Sequence, residues 1–258
     1  MRLNSNLLRY FLPLLFLTIM ANASWCLAQE NPQATADEEQ VEDKLPPGRT
    51  EYLGREIAQT MHFLGAPWLI RDSREREEDC STMLKNLGVK PGMTICDMGC
   101  GNGFYSLKMA EMVGEKGKIL AVDIQPEMLT MLKVRSKEAG LANIKPILGT
   151  LADPRLPTGK VDIILCADVY HEFSHPEYML TAMRKSLKPA GRVVLLEFRE
   201  EDPKVPIKPL HKMSKKQVNK ELTANKFKLF REFDGLPWQH MMFFGRNDGK
   251  ALPGDNVK

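Results

Sequence analysis

Asp97-Met98-Gly99-Cys100-Gly101-Asn102-Gly103 sets the architecture of this chain. A short apolar run, Met93 to Cys96, leads into it, and Phe104 to Val113 leaves it with helical character. Strand, glycine-rich turn and helix together form a holder for a nucleotide-like ligand. Glycine lets the main chain turn tightly and lets a ligand approach it with no Cβ in the way. The N-terminus of the following helix aims unpaired N–H groups at the turn, which favours a carboxylate or phosphate there.

The spacing narrows the ligand. A dinucleotide fingerprint is G-x-G-x-x-G. From Gly99 the pattern is G-x-G-x-G, and Phe104 stands where the third dinucleotide glycine belongs. Asp97 precedes the first glycine by two residues. Lys118-Ile119-Leu120-Ala121-Val122-Asp123 reads as a second strand ending in an acid, at the reach expected of a carboxylate that holds ribose hydroxyls. On these residues the chain resembles the class I S-adenosylmethionine-dependent methyltransferases, whose first motif is D/E-x-G-x-G-x-G with an acid closing the second strand. The resemblance covers residues 52–246. It is closest to bacterial forms with a methyltransferase type 11/25-like domain, a W-L-x-R-x-x-R-E-like segment (here Trp68 to Glu75) and an L-P-W-Q-H-like segment (here Leu236 to His240).

The 258 residues allow one domain with extensions, and a net charge of +3 is too small to imply nucleic acid. Five cysteines, at 26, 80, 96, 100 and 166, show neither a disulfide framework nor C-x-x-C metal spacing, so no metal is expected. Residues 1–28 read as a signal peptide or N-terminal anchor: Arg2 and Arg9 precede a twelve-residue apolar run from Tyr10 to Ala21, short of the about 20 that span a bilayer. The chain is therefore expected to be exported, periplasmic or secreted, or anchored by residues 7–21, with membrane contact through that segment. Residues 29–50, acidic and proline-bearing, read as a disordered linker. The domain is expected over 51–246, with 51–79 a lid segment and 247–258 a flexible tail. Cys80, Met83, Leu84 and Leu87 continue an amphipathic helix capped from Asp72 or Ser73.

Strand and helix signals alternate through the rest. Helices are expected from Pro126 to about Ala139 and from Pro176 to Leu187, with another starting in the capping box at Ser214 to Gln217. Strands are expected at Ile144 to Leu148, Val161 to Cys166, Arg192 to Phe198, Phe227 to Phe233 and His240 to Phe244. This is an α/β chain with a doubly wound, mainly parallel sheet. The family resemblance implies seven strands, the last antiparallel. Residues 204–231 hold nine Lys or Arg and one acid, read as a solvated face.

In such a sheet the ligand lies outside the carboxyl ends of the strands. The expected cofactor-binding residues are Asp97, Gly99, Gly101, Gly103, Asp123, Ile124, Asp153 and Asp168. In the family, an acid in the loop after the third strand bonds the adenine amino group, which implicates Asp153. Tyr170 and His171, after the fourth strand, are the candidate catalytic groups, since histidine has the pKa for proton transfer. His211 and His240 read as surface or structural. The resemblance implies methyl transfer from S-adenosylmethionine to a small-molecule acceptor. The alternatives are a non-catalytic S-adenosylmethionine-binding protein and a nicotinamide-dependent oxidoreductase.

Overall fold

The computed structural model describes residues 45–248. The leader, residues 29–44 of the linker and residues 249–258 of the tail lie outside the described residues. Among the described residues no helix is long and apolar enough to cross a membrane. The fold starts before Glu51: Arg49 N donates to Ser174 O at 2.9 Å.

Two short strands, β1 (Glu51–Tyr52) and β2 (Arg55–Glu56), form a hairpin, and a 3₁₀ segment follows at Phe63–Ile70. The single helix expected next is two: α1 (Arg74–Glu78) and α2 (Cys80–Leu87). Asp79 separates them in the left-handed region, φ 49°, which aspartate tolerates better than most residues. Its N–H closes α1 on Glu75 O, and its carboxylate caps α2 at Thr82 N, 3.1 Å away. Then come β3 (Thr94–Met98), α3 (Phe104–Val113), β4 (Lys118–Asp123), α4 (Pro126–Glu138), β5 (Ile144–Leu148) and β6 (Val161–Ala167). The chain continues with α5 (Pro176–Ser186), β7 (Leu187–Arg199), β8 (Lys212–Met213), α6 (Lys215–Ala224), β9 (Phe227–Phe233) and β10 (Gln239–Arg246). Strand β7 begins five residues before the expected start, and β8, unread in the sequence, pairs with its end at Phe198 and Arg199.

The main path of the sheet runs β5-β4-β3-β6-β7-β10-β9. All pairs from β5 to β7 are parallel, and β10 runs antiparallel to both β7 and β9. The expected doubly wound sheet of seven strands is present, with the two-residue β8 beside it. Alternate residues of each strand feed opposite cores. Ile95, Ile119, Ile163, Leu165, Val194 and Phe243 pack with α2, α3 and α4 on one face. Cys96, Leu120, Ile164, Cys166, Val193 and Phe244 pack with α5 and α6 on the other. Each fully buried aliphatic side chain contributes about 1.5–3 kcal/mol. Chain order reverses between β3 and β6, which opens a crevice at their carboxyl ends.

Candidate functional site

A cavity of about 470 Å³ lies at those strand ends. Gly99 and Gly101 follow β3; Asp123 ends β4, and Ile124 and Gln125 follow it; Thr150 and Leu151 follow β5; Asp168, Val169, His171 and Glu172 follow β6; all of them line it. The N-terminal segment supplies a further wall through Met61, Trp68, Leu69, Arg74 and Glu78. It is tied down beside the glycine turn. Gln125 accepts from Phe63 N at 2.8 Å and donates to Met61 O at 2.9 Å. Asn102 Nδ2 donates to Ala66 O at 2.9 Å.

The glycines are needed for space. A Cβ on Gly99 would stand 2.3 Å from Val169 Cγ2, and one on Gly101 would stand 2.5 Å from Leu69 Cδ1. Asp123 is nearly buried. Its Oδ2 accepts from Gly101 N and its Oδ1 from Gln125 N, both at 2.9 Å. Burial pushes its pKa up, and the backbone donors pull against that. The carboxylate thus holds the glycine turn and keeps lone pairs for two hydroxyls.

Asp168 sits in the left-handed region, φ 52°. Gln239 Nε2 donates to its Oδ2 at 2.6 Å, while the buried Oδ1 finds no partner among the described residues. Burial first, then the Glu78 and Glu197 charges, push its carboxyl well above the usual range. Glu78 is clamped by Arg71 at 2.6 Å and Arg74 at 2.8 Å. Arg71 lies over the Trp68 ring at 3.7 Å and Arg74 over Phe104 at 4.2 Å. The charged run Arg71 to Glu78 is therefore a knot of internal pairs, and two of its members face the cavity.

His171 is buried. Its Nδ1 donates to Glu197 Oε2 at 2.7 Å and its Nε2 faces His211 Nδ1 at 3.1 Å. Burial pulls its pKa down, but the Glu197 carboxylate outweighs that and the net shift is upward. Burial raises Glu172 to about 7. His211 is lowered by burial and by the neighbouring His171.

Four of the expected site residues do not line the cavity. Tyr170 is fully buried behind it, its hydroxyl donating to Glu221 Oε2 at 2.8 Å. The 3₁₀ turn at Tyr170–Glu172 sends adjacent side chains opposite ways, so only His171 and Glu172 reach the cavity. Asp153 is exposed, and its Oδ1 accepts from Arg155 N at 2.7 Å in a local turn; Thr150 and Leu151 take the lining positions. Asp97 accepts from Ser106 Oγ at 2.6 Å beneath the turn, where burial raises its pKa to about 6. Gly103 caps α3 and packs on Leu132.

Two further groups at the site, His211 in the cavity wall and Glu197 behind His171, escape the sequence reading. His211 lines the cavity, whereas His240 is structural, its Nε2 donating to Met213 O at 2.9 Å. Glu197 carries a signal that was available: one acid inside Val193-Val194-Leu195-Leu196-Glu197-Phe198, wholly buried. A buried charge in an apolar strand implies a partner.

A methyltransferase-domain family matches residues 89–243. The chain belongs to that family. The ubiquinone/menaquinone biosynthesis C-methyltransferase UbiE of Shewanella sp. (strain ANA-3) is 28% identical over 130 residues, 50% of this chain and 49% of its own length. UbiE of Vibrio vulnificus (strain YJ016) is 30% identical over 121 residues, 46% and 44% of the two chains. This chain thus spans about half the length of the curated relatives it matches. A S-adenosylmethionine-dependent methyltransferase from Aquifex aeolicus shares the fold with TM-score 0.68 and 28% identity, over 72% of this chain and 98% of that one. The [4+2]-cyclase SpnF shares it with TM-score 0.53 and 18% identity, over 60% of each chain, a likeness of fold alone.

S-adenosylmethionine is the cofactor of this class of methyltransferase, and the residues present fit it. The cavity volume is in the range of small-molecule sites. Two glycines leave main chain bare in its wall, an acid at the β4 tip is fixed by backbone donors, and a buried Asp168 oxygen is unpartnered.

Proposed function

We propose that this chain transfers a methyl group from S-adenosylmethionine to a small-molecule acceptor. The observation that carries the reading is the crevice at the β3–β6 reversal, where bare glycine main chain and the tip carboxylate of β4 share one cavity. Asp123 would hold the ribose, with Ile124, Leu151 and Met128 against the adenine. Gly99, Gly101, Arg74 and Asp168 would hold the amino-acid end, where Arg74 matches its carboxylate.

The cofactor supplies a methyl already activated on a positive sulfur. The chain has then to align acceptor and sulfur in line and exclude water. The segment from Met61 to Glu78, which walls the cavity, would do the second as part of the lid expected over 51–79. The acceptor would enter between Phe173, Met179, Phe198 and Ile207, an apolar wall, and meet His171. The Glu197 carboxylate stabilises the charged imidazole and fixes its ring, so Nε2 is the atom that takes a proton from the acceptor. The apolar wall, together with relatives named for quinone biosynthesis, favours a cyclic apolar acceptor over a polar one.

The experiment is turnover with labelled methyl donor against a panel of phenolic, quinol and aliphatic acceptors, read as S-adenosylhomocysteine formed. Product with at least one acceptor, reduced at least tenfold in His171→Gln, supports the reading. Tight donor binding with no product from any acceptor would leave a cofactor-binding protein in its place. Export through residues 1–28 is part of the same proposal, supported by the charged start and apolar run. Mass spectrometry of the mature N-terminus after cell fractionation tests it.

A further inference from the structure

We propose that His171, Glu172 and His211 form a site for one divalent d-block cation in the cavity wall. One ligand atom from each lies within 4.8 Å of the other two, and all three residues line the cavity. His171 Nε2 and His211 Nδ1 stand 3.1 Å apart. Two imidazole nitrogens on one tetrahedral zinc are separated by about 3.3 Å, given zinc–nitrogen bonds of about 2.0–2.1 Å. The pair therefore already has nearly the spacing an ion would impose. Glu172 Oε1 lies 3.9 Å from His171 Nε2, and a shift of roughly half an ångström brings it to ligand spacing.

The second observation is behind the ring. Glu197, wholly buried, accepts a hydrogen bond from His171 Nδ1 at 2.7 Å. That fixes the tautomer with the Nε2 lone pair facing His211 and Glu172. A carboxylate behind a histidine is how metal-ligating imidazoles are oriented and made more basic. Glu197 is held in turn by Tyr170 N, 3.0 Å from its Oε1. His171 is thus supported from a buried strand, Glu172 Oε1 accepts from Met61 N at 3.2 Å, and all three residues line the cavity.

Two imidazoles and one carboxylate suit zinc, cobalt, nickel or iron, and not the all-oxygen preference of magnesium or calcium. Three protein ligands leave a position open toward the cavity. A bound ion takes the Nε2 lone pair, so His171 then serves as ligand and not as base. On the methyl-transfer reading, on which this clause rests, the open position would take an acceptor oxygen and lower its pKa.

The test is titration of the chelator-treated full chain with cobalt(II) and zinc(II), followed by visible ligand-field absorption and calorimetry. One ion per chain, with a nitrogen–oxygen spectrum and no thiolate band, is expected. His211→Ala and Glu172→Gln should each weaken binding at least tenfold. Glu197→Gln, which touches no ion, should weaken it by about 10–100-fold. His211 is only partly buried in a 3₁₀ turn, so its replacement keeps the fold. Unchanged S-adenosylmethionine binding in that variant separates loss of the ion from loss of the donor site. A thiolate spectrum, no saturable spectrum, or one indifferent to His211→Ala overturns the proposal.

Discussion

Alanine at Gly101 tests the geometry of the glycine turn, and alanine at Gly92 isolates its parts. Both glycines have positive φ, 53° and 81°. A side chain in that region costs about 1–2 kcal/mol. Around Gly92 a new Cβ meets nothing within 4 Å, so strain is the whole cost. Around Gly101 it stands 2.5 Å from Leu69 Cδ1, roughly an ångström inside ordinary contact. Overpacking of this kind costs about 1–3 kcal/mol, and the low end applies because the struck atom ends a flexible side chain. Gly101→Ala should therefore destabilise by about 2–3 kcal/mol and Gly92→Ala by about 1–2, read by urea unfolding. Leu69 belongs to the segment that walls the cavity, and Gly101 N is held by Asp123. Gly101→Ala should thus also weaken S-adenosylmethionine binding at least tenfold, about 1.4 kcal/mol, while Gly92→Ala leaves it unchanged. Equal stability losses and equal donor affinities in the two variants would mean that neither the Leu69 contact nor the Asp123 bond at Gly101 matters.

Two further outcomes follow from the buried acids. Asp97 is raised from 3.8 to about 6, chiefly by burial. The folded state therefore holds its proton more tightly than the unfolded chain, and that stabilisation is full below about pH 4 and lost as pH rises through about 6. Wild-type stability minus Asp97→Asn stability should fall by up to about 3 kcal/mol between pH 4 and pH 7 in paired urea titrations; a pH-independent difference would contradict the burial argument. Tyr170→Phe removes a hydroxyl bond to a charged partner, Glu221, which Arg55 still holds at 2.8 Å. It should cost about 1–2 kcal/mol in unfolding experiments and leave donor affinity within twofold; a large loss of affinity would place the ring in the site after all.

The sequence made legible the parts that local pattern controls. Strands such as Val161–Ala167 are near-continuous apolar runs because both faces are covered, and Asp123 is visible because it ends one of them. What escaped depends on partners far along the chain. Arg71-to-Glu78 reads only as part of a lid segment, and nothing in the run marks Arg74 and Glu78 as buried; they are, because they neutralise each other against Phe104 and Tyr105. The break at Asp79 is a single residue's choice of the left-handed region, which helical periodicity does not report. Tyr170 and His171 are adjacent and chemically alike as candidates; only the short 3₁₀ turn decides which faces the cavity. Cysteine spacing gives no sign of a metal; the cluster of His171, Glu172 and His211, on which the proposed cation site rests, comes together from two separate loops that sequence spacing does not connect.

The donor's ribose is expected at the tip of β4, against the Asp123 carboxylate. Calorimetric titration of the wild-type chain and Asp123→Asn with S-adenosylmethionine tests it most directly, since asparagine keeps the shape and loses the charge. One site per wild-type chain is expected, with a loss of about thirtyfold in the variant, about 2 kcal/mol for charge-assisted hydrogen bonds. A wild-type chain that binds no donor, or a variant that binds it equally well, would contradict it.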